Sequence, residues 1–287
     1  MPELPEVETV ARGVDARVRG DRIVEIWFGS HREPFKTSAT RQARGLLDRS
    51  ILSVHRTGKH IVVELGPRPD GCLVNDRPLE DGGIADAQWI VHLGMTGRLL
   101  VTTPDAPVLA HTHARLTLAS GRELRFVDPR RFGRLEFRAL GKGKGFAAPG
   151  AEPLIIEAKE FAALFRGRKL AIKAALLNQT LLAGVGNIYA DESLFRAGIR
   201  PRRDAGRLTR IELERLRIAL REVLEHAILL GGSSVSDYVD AEGKQGFFQL
   251  EHCVYQRTGE PCLQCGAEIR RVVVAGRSTH YCPTCQR

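Results

Sequence analysis

The sequence predicts an α+β chain: an N-terminal helix leading into a β-sandwich or barrel, then a helical region, then a short cysteine-bearing β-hairpin. Three observations carry this. Apolar residues step at helical spacing directly behind the N-terminus. From about Arg22 to Arg138 the pattern changes to period two, rich in β-branched residues, and it returns to helical spacing behind a Gly/Pro/Lys-rich stretch. The chain ends on two Cys-x-x-Cys pairs.

Taking the elements in order, Leu4, Val7, Val10, Val14 and Val18 recur at steps of three and four and mark one face of a helix. Pro5 suits its first turn and Gly20 stops it. The runs RIVEIWFG, ILSVHR, HIVVEL, QWIVHL, RLLVT, HARLTL and ELRFVD then read as strands, with ASGRE as a hairpin turn. Gly66 to Ala87 interrupts them and reads as a long loop. A first domain is expected over 1–140, with residues 141–153 as the linker behind it. Helical spacing over EAKEFAALFRG, KLAIKAALLNQ, NIYADESLFRAG and the segment behind Leu208 predicts four helices in a domain over 154–250. Thr209 and Glu212 form a capping box ahead of the last. The polar, glycine-bearing SSVSDYVDAEGKQGFFQ that follows reads as a mobile loop, and 251–287 as a separate terminal module.

Length and charge bound the function. A chain of 287 residues builds one large or two modest domains. Lys and Arg outnumber Asp and Glu by 43 to 34, a net charge of +9. That excess suits a polyanionic partner, nucleic acid before acidic membrane. The first twenty residues are charged throughout and lack the apolar core of a secretory signal, and no apolar run approaches a membrane span. A cytosolic setting is expected, in which disulfides are uncommon.

Six cysteines therefore need another explanation. Cys72 and Cys253 stand alone. Cys262, Cys265, Cys282 and Cys285 form two pairs with sixteen residues between them, the spacing of a four-thiolate zinc ribbon. Each Cys-x-x-Cys turn aims two thiolates at one point, and IRRVVVAGRSTHY alternates as two strands around Gly276. Four thiolates leave no open coordination position, so one structural Zn²⁺ is expected. Arg270, Arg271 and Arg277 would project from that hairpin. The stretch TLLAGVGN, two glycines and an asparagine ahead of a helix, would place backbone N–H groups where a phosphate can bind, although helix capping explains the same residues.

Several motifs now converge in order: PELPEVE at the start, RTGKH around Lys59, HLGMTG around Met95, DPRRFG around Arg130, AGVGNIYADE around Asn187, and the final cysteines with GRSTHYC. Together they resemble the Fpg/Nei family of DNA glycosylases, within it the formamidopyrimidine-DNA glycosylase (Fpg) branch, and the resemblance runs from residue 2 to residue 287. It implies a two-lobed enzyme: N-terminal helix and β-sandwich in one lobe, a helix–two-turn–helix module and zinc finger in the other, with damaged double-stranded DNA in the cleft.

The resemblance also implies roles. Removal of Met1 would expose Pro2 as a secondary amine, and an α-amine titrates at about 7.7–8.0, leaving a useful neutral fraction at pH 7. Pro2 is similar to the family's nucleophile, which attacks the C1′ atom of a damaged nucleoside, and Glu3 to its acid/base carboxylate. The iminium so formed leads to strand cleavage by β- and δ-elimination. Lys59 resembles a phosphate contact and catalytic helper, and His92 another phosphate contact. Met95, Arg130 and Phe132 resemble the triad that fills the space left by a flipped base, with Arg130 facing the orphaned cytosine. Asn187 and Arg277 resemble a pair gripping the phosphates, while Glu6 and the polar loop with Ser234 resemble the base pocket.

Leu4 and Val7 fit the PELPEV opening of the Fpg branch, whereas the Nei branch typically reads PEGPE. The implied substrates are 8-oxoguanine opposite cytosine and ring-opened formamidopyrimidines, and the implied enzyme is a monomeric glycosylase with abasic-site lyase activity. The chain departs from the family at His60, where tyrosine is common, in the length of the Gly66–Ala87 loop, and at Ser236, where several relatives carry a basic residue. Two other readings stand beside this one: a pyrimidine-specific glycosylase of the Nei type, and a catalytically silent binder of damaged DNA.

Overall fold

The computed structural model describes residues 1–31, 34–67, 85–140, 145–235 and 238–287. Most of the Gly66–Ala87 loop, with Cys72, and Ser236 lie outside the described residues. The chain divides into two compact units. The first takes in residues 1–2, 6–147 and 234–246; the second takes in residues 3–5, 148–233 and 247–287.

The first unit is built on two four-stranded antiparallel sheets. Helix α1 spans Leu4–Val18, and of its apolar stripe Val7, Val10, Val14 and Val18 are buried here. Gly20, at φ +80°, turns the chain away as expected. One sheet holds β1 (Ile23–Phe28), β6 (Thr112–Leu118), β7 (Glu123–Val127) and β5 (Arg98–Thr102), in that order. The other holds β2 (Ile51–Thr57), β3 (His60–Leu65), β4 (Ala87–His92) and β8 (Arg134–Ala139). Strand β8 and a short helix α2 (Ala39–Leu46, capped by the Ser38 hydroxyl) join the elements read from periodicity. The alternation of the strands sends Ile61, Val63, Trp89, Val91, Leu116, Leu124 and Phe126 into one core with α1.

The stretch read as a mobile loop contributes two residues to the core of this unit. Tyr238 and Ala241 are buried in the core of this unit, and the Val101 N–H donates to the Ala241 carbonyl at 3.0 Å. One aromatic and one alanine anchor a mostly polar stretch, a signal too sparse for periodicity to reveal.

The second unit is helical. It contains α3 (Ala158–Phe165), α4 (Ile172–Leu177), α5 (Asn187–Arg196) and α6 (Arg210–Leu229), followed by the hairpin β9 (Arg270–Val274) and β10 (Arg277–Tyr281). The capping box forms: the Glu212 N–H donates to the Thr209 hydroxyl at 3.2 Å, and the Thr209 N–H to the Glu212 carboxylate at 2.8 Å. Arg203 is the main cause holding that carboxylate down at about 2. Leu4, Phe161, Phe165, Tyr189, Leu216 and Leu220 are among its core residues. Among the described residues no helix is long and apolar enough to cross a membrane.

Candidate functional site

The N-terminal stretch of the second unit is fastened to the start of α5. The Leu4 N–H donates to the Gly184 carbonyl at 3.0 Å. The buried Glu3 carboxylate accepts the Ile188 N–H at 3.3 Å, in the first turn of α5, where the helix dipole favours a negative charge. Gly186 caps the helix in an extended conformation at φ −130°, so its backbone does not demand glycine; its neighbour does. A Cβ atom there would lie 2.1 Å from the Glu3 Cδ. The helix start that suggested a phosphate site thus seats the chain's own Glu3. Pro2 is buried and Met1 is 49% exposed.

Asn187, the first residue of α5, turns its side-chain amide to the Ser278 carbonyl of β10 at 2.9 Å. The same carbonyl accepts from the Lys173 ammonium at 2.8 Å, and the Thr279 hydroxyl lies 2.9 Å from that ammonium. Lys173 is buried without exposed surface against Asp191 at 2.7 Å. Desolvation lowers its titration, opposed chiefly by Asp191. The other Asp191 oxygen accepts the His280 N–H at 2.9 Å. The next residue on α5, Glu192, accepts the N–H groups of Cys253, Val254 and Tyr255 at 2.8–2.9 Å. Burial raises the Glu192 carboxyl, opposed by those three N–H bonds. Consecutive acids on one helix therefore fix both the segment ahead of the hairpin and its second strand. Arg277, exposed, is the residue directly before the doubly held Ser278. Arg270 and Arg271 are exposed as well.

In the first unit, Met95 and the Arg130–Phe132 turn are bound into one structure. The Thr96 hydroxyl donates to Asp128 Oδ1 at 2.5 Å, and the Gly133 N–H to Oδ2 at 2.7 Å. The Arg130 N–H reaches both the Thr96 hydroxyl and Asp128 at 3.3 Å. Gly94, at φ +65°, faces the Phe132–Gly133 backbone, which a Cβ would approach to 2.5 Å. Met95 and Phe132 stay 39% and 48% exposed, and the Arg130 guanidinium lies 4.9 Å over the Phe132 ring. Two apolar side chains and a cation are thus presented outward by a buried carboxylate, Asp128. Asp128 and Thr96 went unread in the sequence, although the carboxylate two residues ahead of Arg130 in DPRRFG was the available signal.

Lys59 occupies the tight turn between β2 and β3, with Gly58 at φ +61°. His92, the last residue of β4, pairs across the sheet with His60. Glu6 and Ser234 meet at one residue. The Tyr238 hydroxyl donates to the Glu6 carbonyl at 3.3 Å, and the Ser234 hydroxyl to the Tyr238 carbonyl at 3.0 Å. Burial, followed by the nearby Glu6 charge, raises the Tyr238 phenol.

Cys262, Cys265, Cys282 and Cys285 bring their sulfurs within 4.8 Å of one another. Cys265 and Cys282 are 3.4 Å apart, and Cys262 and Cys285 3.9 Å. Zn–S bonds of about 2.3 Å in a tetrahedron put sulfurs about 3.8 Å apart, so the four thiols fit one structural zinc with no open position. The apolar residues Phe195, Val254 and Ile269 pack beneath them.

Comparison with known proteins covers nearly the whole chain. The profile of the formamidopyrimidine-DNA glycosylase N-terminal domain matches residues 1–135, that of its H2TH domain residues 149–239, and a zinc finger found in FPG and IleRS residues 259–287. A formamidopyrimidine-DNA glycosylase of Solibacter usitatus is 47% identical over 287 residues, with 100% of both chains covered. One from Desulfitobacterium hafniense is 42% identical over 294 residues, again over 100% of both. Among solved structures, the Lactococcus lactis Fpg in complex with an abasic site containing DNA superposes with a TM-score of 0.83 at 34% identity, covering 99% of each chain. The same enzyme with an N7-benzyl-Fapy-dG containing DNA gives 0.83 at 34% identity over 100% of each chain.

Proposed function

The chain belongs to the formamidopyrimidine-DNA glycosylase family, and from that premise we propose that it excises oxidised purines from duplex DNA and then cuts the strand. Its substrates are 8-oxoguanine opposite cytosine and ring-opened formamidopyrimidines. The observation that carries this reading is the seat of Glu3: a carboxylate in the residue after Pro2, held by the first turn of α5 against Gly186, where any Cβ would force the carboxylate to move.

Chemistry begins once Met1 is removed. The neutral Pro2 amine attacks the sugar C1′ atom, a C–N bond to the protein forms, and the damaged base leaves with the glycosidic electron pair. Glu3 supplies and takes the protons of sugar-ring opening. The resulting iminium acidifies the adjacent sugar carbon, and loss of that proton starts β- and then δ-elimination. Lys59 assists and contacts phosphate. His92, Asn187 and Arg277 hold the backbone around the flipped nucleotide. Met95 and Phe132 fill the vacated stack and Arg130 pairs with the widowed cytosine. Glu6 and Ser234 border the base pocket. The zinc ion supplies folding energy to the hairpin that carries Arg277 and takes no part in the chemistry.

Borohydride trapping on duplexes with 8-oxoguanine opposite cytosine, a formamidopyrimidine, or thymine glycol tests this, with peptide mapping of the adduct. The expected result is an adduct on Pro2, formed mainly with the two purine lesions. Trapping mainly on thymine glycol would move the chain to pyrimidine repair, and intact binding with no adduct would make it a binder of damage.

A further inference from the structure

His60 stands where the family commonly has tyrosine, and the structure gives it a specific surrounding. It faces His92 across β3 and β4, the ring centroids 4.8 Å apart and tilted by 52°. Phe146 also packs against it, the ring centroids 4.7 Å apart and tilted by 57°. Phe146 is pinned to the sheet through its N–H, which donates to Gln88 Oε1 at 2.7 Å, and Arg138 lies 5.6 Å over its ring. The stack thus runs from Arg138 through Phe146 and His60 to His92.

The tautomer of His92 follows from one bond. The Gly94 N–H donates to His92 Nδ1 at 3.1 Å. A ring nitrogen that accepts carries no proton, so the neutral ring bears its proton on Nε2 and offers a donor there. The charged groups around the pair are Lys36, Lys59 and Arg134 on His92, and Lys36 and Glu136 on His60. Burial is the main cause that lowers His92, followed by the neighbouring His60 and then the three cations; burial leads at His60 as well, and both rings titrate at about 4.

We propose that His60 is a positioning residue: its ring, packed against His92, shields the His92 imidazole from water and so keeps it the Nε2–H donor, selected by the Gly94 bond, to a DNA phosphate. The inference rests on the reading of His92 as a phosphate contact. A neutral donor in a cationic setting gives a directed hydrogen bond without a fourth mutually repelling charge. The ring rather than its nitrogens does the shielding, so another flat aromatic side chain serves the same end.

The test uses the full-length zinc-loaded protein, ¹⁵N-labelled at histidine. Long-range ¹H–¹⁵N spectra identify the protonated ring nitrogen of His92, and affinity for a duplex with a stable abasic-site analogue is measured alongside. The parent should show only the Nε2–H form of His92 from pH 5.5 to 8. His60→Ala should bring the His92 midpoint back toward about 6.5, mix its tautomers, and weaken binding to the abasic-site duplex about tenfold at pH 7.5. His60→Phe, which preserves the packing, should restore both the spectrum and the affinity. Unchanged His92 signals in His60→Ala overturn the proposal. A loss in His60→Phe equal to that in His60→Ala overturns it too, by placing the effect in the imidazole nitrogens. His92→Ala separates the underlying reading: unchanged DNA affinity in that variant would remove the phosphate contact itself, whatever His60 does to the ring.

Discussion

The Lys173 ammonium and the Asp191 carboxylate lie 2.7 Å apart, and neither side chain has exposed surface. Removing one partner strands a charge away from water, which costs about 3–5 kcal/mol, whereas neutralising both is close to even. Asp191→Ala should therefore destabilise the chain by that amount in urea unfolding. Lys173→Met combined with Asp191→Asn should recover most of it, because asparagine still accepts the His280 N–H. Equal losses in the single and double variants would show that the pair acts independently of charge.

Gly186→Ala tests the seat of Glu3. The added methyl would overlap the Glu3 carboxyl, and one of the two must move. Misplacement of a reacting group by about 1 Å costs on the order of 10²-fold in rate. Single-turnover excision should fall by about that factor while the zinc content stays at one per chain. Full activity in the alanine variant would detach Glu3 from the chemistry.

Asp128 ties the Met95 turn to the Arg130 turn. Arg130→Ala should blur the preference for cytosine opposite the lesion. Asp128→Asn leaves the neighbouring side chains in place but weakens the charge-assisted bonds, and should produce a smaller blur of the same kind. Excision rates on lesions paired with each of the four bases report both, and an unaltered preference in Arg130→Ala would remove that residue from opposite-base recognition.

Stability should depend on pH in a fixed direction. His60, His92 and His252 each titrate at about 4 in the folded chain, burial being the first cause, against about 6.5 unfolded. Between those values the unfolded chain binds more protons, so stability is complete above pH 6.5 and drains as pH falls toward 4. A tenfold difference in proton affinity between the folded and unfolded chain is worth about 1.4 kcal/mol. Urea midpoints should hold level from pH 8 to 7 and fall from 6.5 to 5, and the fall should be shallower in His60→Phe than in the parent. Parallel slopes would show that His60 does not contribute.

Much of the fold was legible in residues with a local signature. The valine stripe of α1, the alternating strands, the Thr209–Glu212 box and the paired cysteines each declare themselves within a few positions. Helix α2 did not, because ATRQARGL is mostly polar and offers little apolar periodicity. Lys173 sits in an apolar helical run and reads as a solvated lysine until Asp191, from another helix, is brought to it. Asp128, Gly186 and the burial of Tyr238 share that cause: each is defined by a partner distant in sequence. Function was visible through ordered motifs, whereas the groups that support those motifs were not.

The bond between Glu3 and Ile188 spans 185 positions of the chain. On a ribosome adding about 5–20 residues per second, the N-terminal pair emerges first and waits on the order of ten seconds or longer for the helix that receives it. A chain interrupted before α5 would carry the whole N-terminal sequence and have nowhere to put its carboxylate, so an unfinished copy could meet damaged DNA without cutting it.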